Sequence, residues 1–155
     1  MTEQRHEGQR RRLLVGAEVV EGGTHFRVWA PRRRSVEVVM DDDCAHALHA
    51  EGKGYFSGLA EGVRAGACYR FRLDGAGELY PDPASRFQPR GPHGPSQVVD
   101  PSTFRWSDRA WSGLRLRGQV IYEMHVGTFT REGTWAAAAA KLENVRDMCT
   151  AIEMM

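Results

Sequence analysis

"THFRVWAPRRRSVEVVM", residues 24–40, sets apolar side chains at every second position: Phe26, Val28 and Ala30 alternate with His25, Arg27 and Trp29. A period of two places successive side chains on opposite faces of an extended chain, so this run predicts an antiparallel strand with one face buried. Pro31 and the triplet Arg32-Arg33-Arg34 interrupt it, and "SVEVVM" at 35–40 resumes as a second strand. Outward from there, "CYRFRLD" at 68–74 repeats the alternation, with Tyr69, Phe71 and Leu73 set against Arg70 and Arg72. "LLVGAEVV" at 13–20 and "YFSGL" at 55–59 are further runs of strand length, bounded by Gly, Asp and Pro clusters. Turn signals at this spacing over roughly 90 residues predict a β-sandwich of immunoglobulin-like size. The Cys-Trp-Cys pattern of antibody domains is missing, so hydrophobic burial alone must hold it.

Composition narrows the function classes. Twenty-one Lys+Arg against twenty Asp+Glu leave a formal charge of +1, too little for a global field that gathers nucleic acid or anionic membrane. The triplets Arg10-Arg11-Arg12 and Arg32-Arg33-Arg34 are local, the second offset by Asp41-Asp42-Asp43, and read as solvated loops or a frayed tail. Cys44, Cys68 and Cys149 form no CxxC pair, which suits a reducing cytoplasm rather than a disulfide framework. In "CAHALH", Cys44, His46 and His49 lie close together, yet a structural zinc site needs four ligands and no fourth is near, so an exposed edge strand is the better reading. The polar start "MTEQRHEGQRRR" has no apolar core of a signal peptide, and no run reaches the roughly 20 apolar residues of a membrane span. A soluble, cytoplasmic chain is expected, with no metal and no cofactor.

Residues 80–101, "YPDPASRFQPRGPHGPSQVVDP", hold six of the seven prolines, which rules out a helix or a central strand there. Phe87 and the "QVV" run look made to pack, so an ordered, extended collar is expected. "TFRWSDRAWSGL" adds Trp106 and Trp111, anchors for a linker or stacking surfaces for sugar.

After Gly118 the texture changes to strand, helix, strand. Residues 120–126 of "VIYEMHVGTFTREGTW" (120–135) read as a strand, Thr134 as the cap of a helix lined by Trp135, Ala138, Leu142 and Val145, and "TAIEMM" at 150–155 as a second strand. The connection length makes this a βαβ unit with parallel strands. Such a unit cannot cover its own sheet, and so opens a larger α/β structure. The organisation predicted is a disordered tail at 1–12, a sandwich at 13–100, a linker at 101–118 and the α/β opening at 119–155.

"FRVWAPRRRSVEVVM", the proline segment, "VIYEMHVGTFTREGTW" and "TAIEMM", in this order from about Leu13 to Met155, resemble the N-terminal part of the malto-oligosyltrehalose trehalohydrolases, in the α-amylase family of glycoside hydrolases. "FRVWAP" and "IYEMHVG" alone also occur in branching and debranching enzymes, whereas the proline segment is specific. The resemblance implies an immunoglobulin-like sandwich module of the early set type preceding a (β/α)8 TIM barrel, truncated here at its first βαβ unit. It implies cleavage, with retention, of the α-1,4-glucosidic bond next to the trehalose end of malto-oligosyltrehalose. Malto-oligosyltrehalose or another α-glucan is then the partner. The aspartate and glutamate motifs of that chemistry do not occur in these residues, so no catalytic residue is assigned and the chain alone is expected to be inactive. A retaining pair sits about 5 to 5.5 Å apart, one group ionised and one protonated. Glu123 and Glu153 can be neighbours on parallel strands, but a structural role suits them better, since the barrel they would belong to takes about 250 residues.

Barrel active sites gather at the C-terminal ends of strands, so His125 and Phe129 are the substrate-binding candidates. For His125 a satisfied core histidine is the rival reading. The rival function is a non-catalytic α-glucan-binding module using Trp29, Tyr55, Trp106 or Trp111, or a fragment of a glycogen branching or debranching enzyme. One departure concerns "RDMCTAIEMM" at 146–155, which is shorter than the family pattern and lacks the glycine that reverses the chain, leaving the register of the last strand open.

Overall fold

The computed structural model describes residues 11–155; the first ten residues of the expected tail lie outside the described residues. The chain divides into two compact units, one running to Arg105 and one spanning Trp106–Met155.

The first unit is built from β1 (Gly16–Val20), β2 (Gly23–Trp29), β3 (Val36–Met40), β4 (Ala45–Gly52), β5 (Tyr55–Glu61) and β6 (Cys68–Leu73). Two short strands, β7 (Leu79–Tyr80) and β8 (Ser96–Gln97), both pair with β6. All pairings are antiparallel, in the order β1-β2-β5-β4-β3-β6-β7. Strand β4 makes the corner: residues 45–48 pair with β3, residues 49–52 with β5, and the register shifts between Ala50 and Gly52. A strand that changes partner at a bulge curls one sheet into two facing layers. "CAHALH" lies on this corner, an edge of each layer in turn. The β4–β5 hairpin closes on Lys53 and Gly54, both at positive φ, and a Cβ at Gly54 would sit 2.5 Å from the Pro31 side chain. Only glycine fits there.

The expected alternation is realised. Phe26, Val28, Tyr69 and Phe71 are buried, together with Val36, Val38, Leu48 and Phe56. The Phe26 and Tyr69 rings meet edge-on at 4.7 Å, and Tyr69 meets Phe71 at 5.9 Å, so the aromatic strands β2 and β6 face one another across the core. The three cysteines are free.

The proline segment wraps as an ordered collar. The Tyr69 hydroxyl donates to Asp82 Oδ2 (2.6 Å), Ala84 N–H donates to Asp82 Oδ1 (2.7 Å), and Asp82 N–H donates to Ser96 Oγ (2.9 Å). Val98 is buried as expected, but Phe87 is 51% exposed. Backbone bonding holds Phe87 instead, its carbonyl accepting from Gln97 N–H at 2.9 Å. Two charge expectations also change. Arg33 pairs with Asp74 and Asp41 with Arg90, so the aspartate triplet is not the partner of the arginine triplet in these pairs. Arg11 and Arg12, placed with the tail from sequence, are bonded to Glu18, a carboxylate buried on β1.

The second unit holds β9 (Ile121–Met124), a single helical turn α1 (Val126–Phe129), α2 (Trp135–Lys141) and β10 (Ala151–Met154). Strands β9 and β10 are parallel, as the connection demands, with Tyr122 opposite Ile152 and Glu123 opposite Glu153. The first strand stops at Met124, because His125 already caps the turn that follows. Thr134 Oγ1 accepts from Ala137 N–H (3.2 Å) and starts α2. Ala138 and Val145 are buried and Leu142 is partly so, but Trp135 is 63% exposed. As the first residue of α2, Trp135 points back beyond the helix N-terminus and misses the two-stranded sheet.

The chain also turns into β10 without a left-handed residue: among the described residues, none between Val145 and Thr150 has positive φ. Met148 N–H bonds to the Val145 carbonyl (3.0 Å), and the Cys149 thiol donates to the same oxygen (3.3 Å). Thr150 then ties the start of β10 to Val120. Its Oγ1 accepts from Val120 N–H (2.9 Å), and its own N–H donates to the Val120 carbonyl (2.9 Å).

Candidate functional site

The sequence candidates His125 and Phe129 lie on the turn that follows β9. His125 is exposed, and its Nδ1 accepts from Gly127 N–H at 3.1 Å. It is therefore a capping histidine at the strand end rather than a core one, and its Nε2 stays open to solvent or ligand. Phe129 meets Tyr122 edge-on at 6.3 Å and packs on the Met124, Val126 and Ala138 cluster. The loop closes on Gly133 at φ +62, where a Cβ would lie 2.9 Å from the Gly127 carbonyl. His125 and Phe129 thus flank one short turn, one offering a ring nitrogen and the other mainly completing a small core.

Glu123 and Glu153 are brought side by side, as parallel pairing allows, and both are exposed. Two like charges directly opposite one another on paired strands repel. The arrangement lacks the buried member that a general acid requires.

The sandwich carries the other candidates. Trp29 is 59% exposed, and its Nε1 donates to the Lys53 carbonyl (3.2 Å), which fixes the plane of the indole. Tyr55 is its cross-strand partner. The Arg27 guanidinium covers the Tyr55 ring at 3.9 Å and is itself held by Glu51 at 2.8 Å. One aromatic of this pair is open and the other is half-covered by a cation. Trp106 and Trp111, on the second unit, are 71% and 65% exposed. The Arg27 cap on Tyr55 was not foreseen, because it depends on the register of β2 against β5, which alternation does not specify.

Cys44 Sγ and His46 Nε2 are 3.7 Å apart, while His49 falls on the opposite face of the strand. Among the described residues no group of three or more His, Cys, Asp or Glu could hold a metal ion. Among the described residues no helix is long and apolar enough to cross a membrane.

Comparison with known proteins agrees with this architecture. Residues 14–101 match the family model of carbohydrate-binding module 48, the isoamylase N-terminal domain. Over 147 residues the chain is 44% identical to a malto-oligosyltrehalose trehalohydrolase of Deinococcus radiodurans, covering 93% of this chain and 24% of the relative. Over 144 residues it is 39% identical to the trehalohydrolase of Saccharolobus solfataricus, covering 92% and 25%. The crystal structure of a candidate alpha amylase from Salmonella typhimurium superposes with a TM-score of 0.82 at 40% identity, covering 92% of this chain and 24% of that one. The chain spans about a quarter of the length of the curated relatives it matches. With a curled antiparallel sandwich over the matched residues, this chain belongs to the carbohydrate-binding module 48 family, the isoamylase N-terminal domain.

Proposed function

We propose that the chain is the N-terminal part of a cytoplasmic enzyme that hydrolyses the α-1,4-glucosidic bond next to the trehalose end of malto-oligosyltrehalose and releases trehalose. The observation that carries this reading is the 44% identity to a named trehalohydrolase over 93% of the chain, since the match runs through both units rather than the sandwich alone. In this reading β9, α2 and β10 are the opening of a (β/α)8 barrel. Their parallel pairing and the position of His125 at the C-terminal end of β9 support it. His125 and Phe129 would border the sugar cleft, His125 offering Nε2 to a hydroxyl. The 155 residues carry no catalytic carboxylate pair and do not act alone. The retaining chemistry needs one ionised and one protonated carboxyl, whereas Glu123 and Glu153 share the same solvent-exposed face.

The exposed Trp29 favours a second reading, in which the sandwich binds α-glucan by itself. Two experiments separate the readings. A chimera in which this chain replaces the matching N-terminal quarter of the Deinococcus trehalohydrolase should release trehalose from malto-oligosyltrehalose, while the chain alone should not. A folded but inactive chimera, or release by the chain alone, overturns the first reading. Retardation of the chain in glycogen-containing gels, abolished by Trp29→Ala, would establish the second.

A further inference from the structure

Residues 11–14 lie as a strap against the outer side of the β1–β2 hairpin. Arg11 Nη2 donates to the Gly16 carbonyl (2.8 Å), and Arg11 Nη1 donates to the His25 carbonyl (2.7 Å). The same Nη1 lies 2.7 Å from His25 Nδ1. A guanidinium has donors and no acceptor, so Nδ1 must accept, and the ring is the neutral tautomer with its proton on Nε2. The rest of the strap hangs on Glu18, whose buried carboxylate accepts from Arg12 N–H (3.0 Å) and Leu13 N–H (3.1 Å). Four groups thus accept from the strap: the Gly16 and His25 carbonyls, the Glu18 carboxylate, and an imidazole that a single proton converts from acceptor to cation. The Leu14 carbonyl in turn accepts from Arg27 Nη1 (2.6 Å).

We propose that residues 11–14 form an acid-sensitive clasp that opens from the β1–β2 hairpin when His25 takes up a proton.

The surrounding charges favour His25 as the trigger. Glu18 faces it from β1, Arg27 from β2 and Glu51 from β4. Leu59 lies opposite it on β5, and Arg86 of the collar donates to the Ala17 carbonyl at 3.1 Å. Burial alone would raise the Glu18 carboxyl, but the Arg12 and Leu13 N–H groups and the Arg11 charge hold it below the usual range. Burial likewise opposes a downward shift at Glu51, and bonds from Ser57 and Arg27 outweigh it. Both carboxyls are thus held toward the ionised form relative to an ordinary glutamate. For His25, burial first and the Arg11 charge second depress proton affinity in the clasped form below the ordinary 6.5. The sign follows. Clasp stability is complete above that ordinary value and is lost as pH falls toward the depressed one, by about tenfold per pH unit in that interval.

Hydrogen–deuterium exchange of the full 155-residue chain at about pH 7.5 and pH 5, corrected for intrinsic rates, tests this on either side of the histidine range. The amides of Leu13–Val20 should lose roughly tenfold more protection at the lower pH than those of β3 and β6. His25→Gln keeps an acceptor for Arg11 and should remove the step, and His49→Gln on the exposed part of β4 should keep it. An absent step in the wild type, or an unchanged step in His25→Gln, overturns the clasp. Should His25→Gln fail to fold, the His25 ring titration followed by NMR decides. Its midpoint must rise toward the ordinary histidine value in Arg11→Gln, and an unmoved midpoint overturns the proposal.

Discussion

In the first unit, two aromatic strands far apart in sequence close over each other, and Phe26, Tyr69 and Phe71 are almost wholly removed from water. In the second, two four-residue strands and one short helix bury Met124, Val126 and Ala138, with Tyr122, Phe129, Leu142 and Ile152 only partly covered. Both obey the same patterning rules, yet the quantity of burial differs. A curled sheet of eight strands supplies its own second layer, whereas a two-stranded parallel sheet has one helix against one face and leaves Ile121, Glu123 and Glu153 in solvent. The lesson is that local pattern decides which elements form, and the number of layers decides which unit stands alone.

The sharpest break of this contrast is Phe26→Ala. Emptying the centre of the sandwich should cost about 3–5 kcal/mol, seen as a fall in the urea midpoint of the cooperative transition. Exchange rates in residues 121–124 and 151–154 should not follow it if the second unit unfolds independently; equal shifts in both units would erase the distinction. A smaller effect is expected from Tyr69→Phe, which leaves the buried Asp82 carboxylate short of one donor and should cost about 1–3 kcal/mol at neutral pH. Burial already raises the Asp82 carboxyl above its ordinary value, and the Tyr69 hydroxyl opposes that rise. Without the hydroxyl the affinity for a proton climbs further. The penalty should therefore shrink as pH falls through the Asp82 pKa, and a penalty that grows instead would contradict the bond.

Much of the first unit was legible because its signal is local. Phe26-Val28 and Tyr69-Phe71 announce their buried face through alternation alone, and the six prolines of the collar exclude regular structure without reference to anything else. Features that depend on pairing were not legible. The corner in β4 needs the register shift between Ala50 and Gly52, the Arg27 cap needs Tyr55 beside it, and the anchoring of Arg11 needs a buried Glu18. In the second unit the helical period named Ala138 correctly, but it included the exposed Trp135 and ran on to Val145, which is buried yet lies beyond α2 and the 3-10 turn Leu142–Asn144, since period says nothing about where a helix or the neighbouring sheet ends. His125 and Phe129 could be placed at the strand end from sequence. That His125 caps the turn through Nδ1 while Phe129 packs on Tyr122 could not, as both depend on side-chain direction.

The smallest predicted effect concerns what sets the register of β10 in the absence of a glycine cap. Thr150 receives the Val120 N–H on its hydroxyl, while Tyr122 and Ile152 face each other on the covered side. Either the hydroxyl or the apolar pair could fix the alignment, and Thr150→Val separates them because it keeps shape and strand preference while deleting the acceptor. Val120 is 56% exposed, so water can replace part of the lost bond, and the cost should be about 1 kcal/mol or less. In a unit with so small a core even that should be visible as faster exchange at Ile121–Met124, with the urea midpoint of the sandwich unmoved and Thr150→Ser close to wild type. Unchanged exchange in Thr150→Val would assign the register to Tyr122 and Ile152 alone, and the hydroxyl bond would then be a consequence of the alignment rather than its cause.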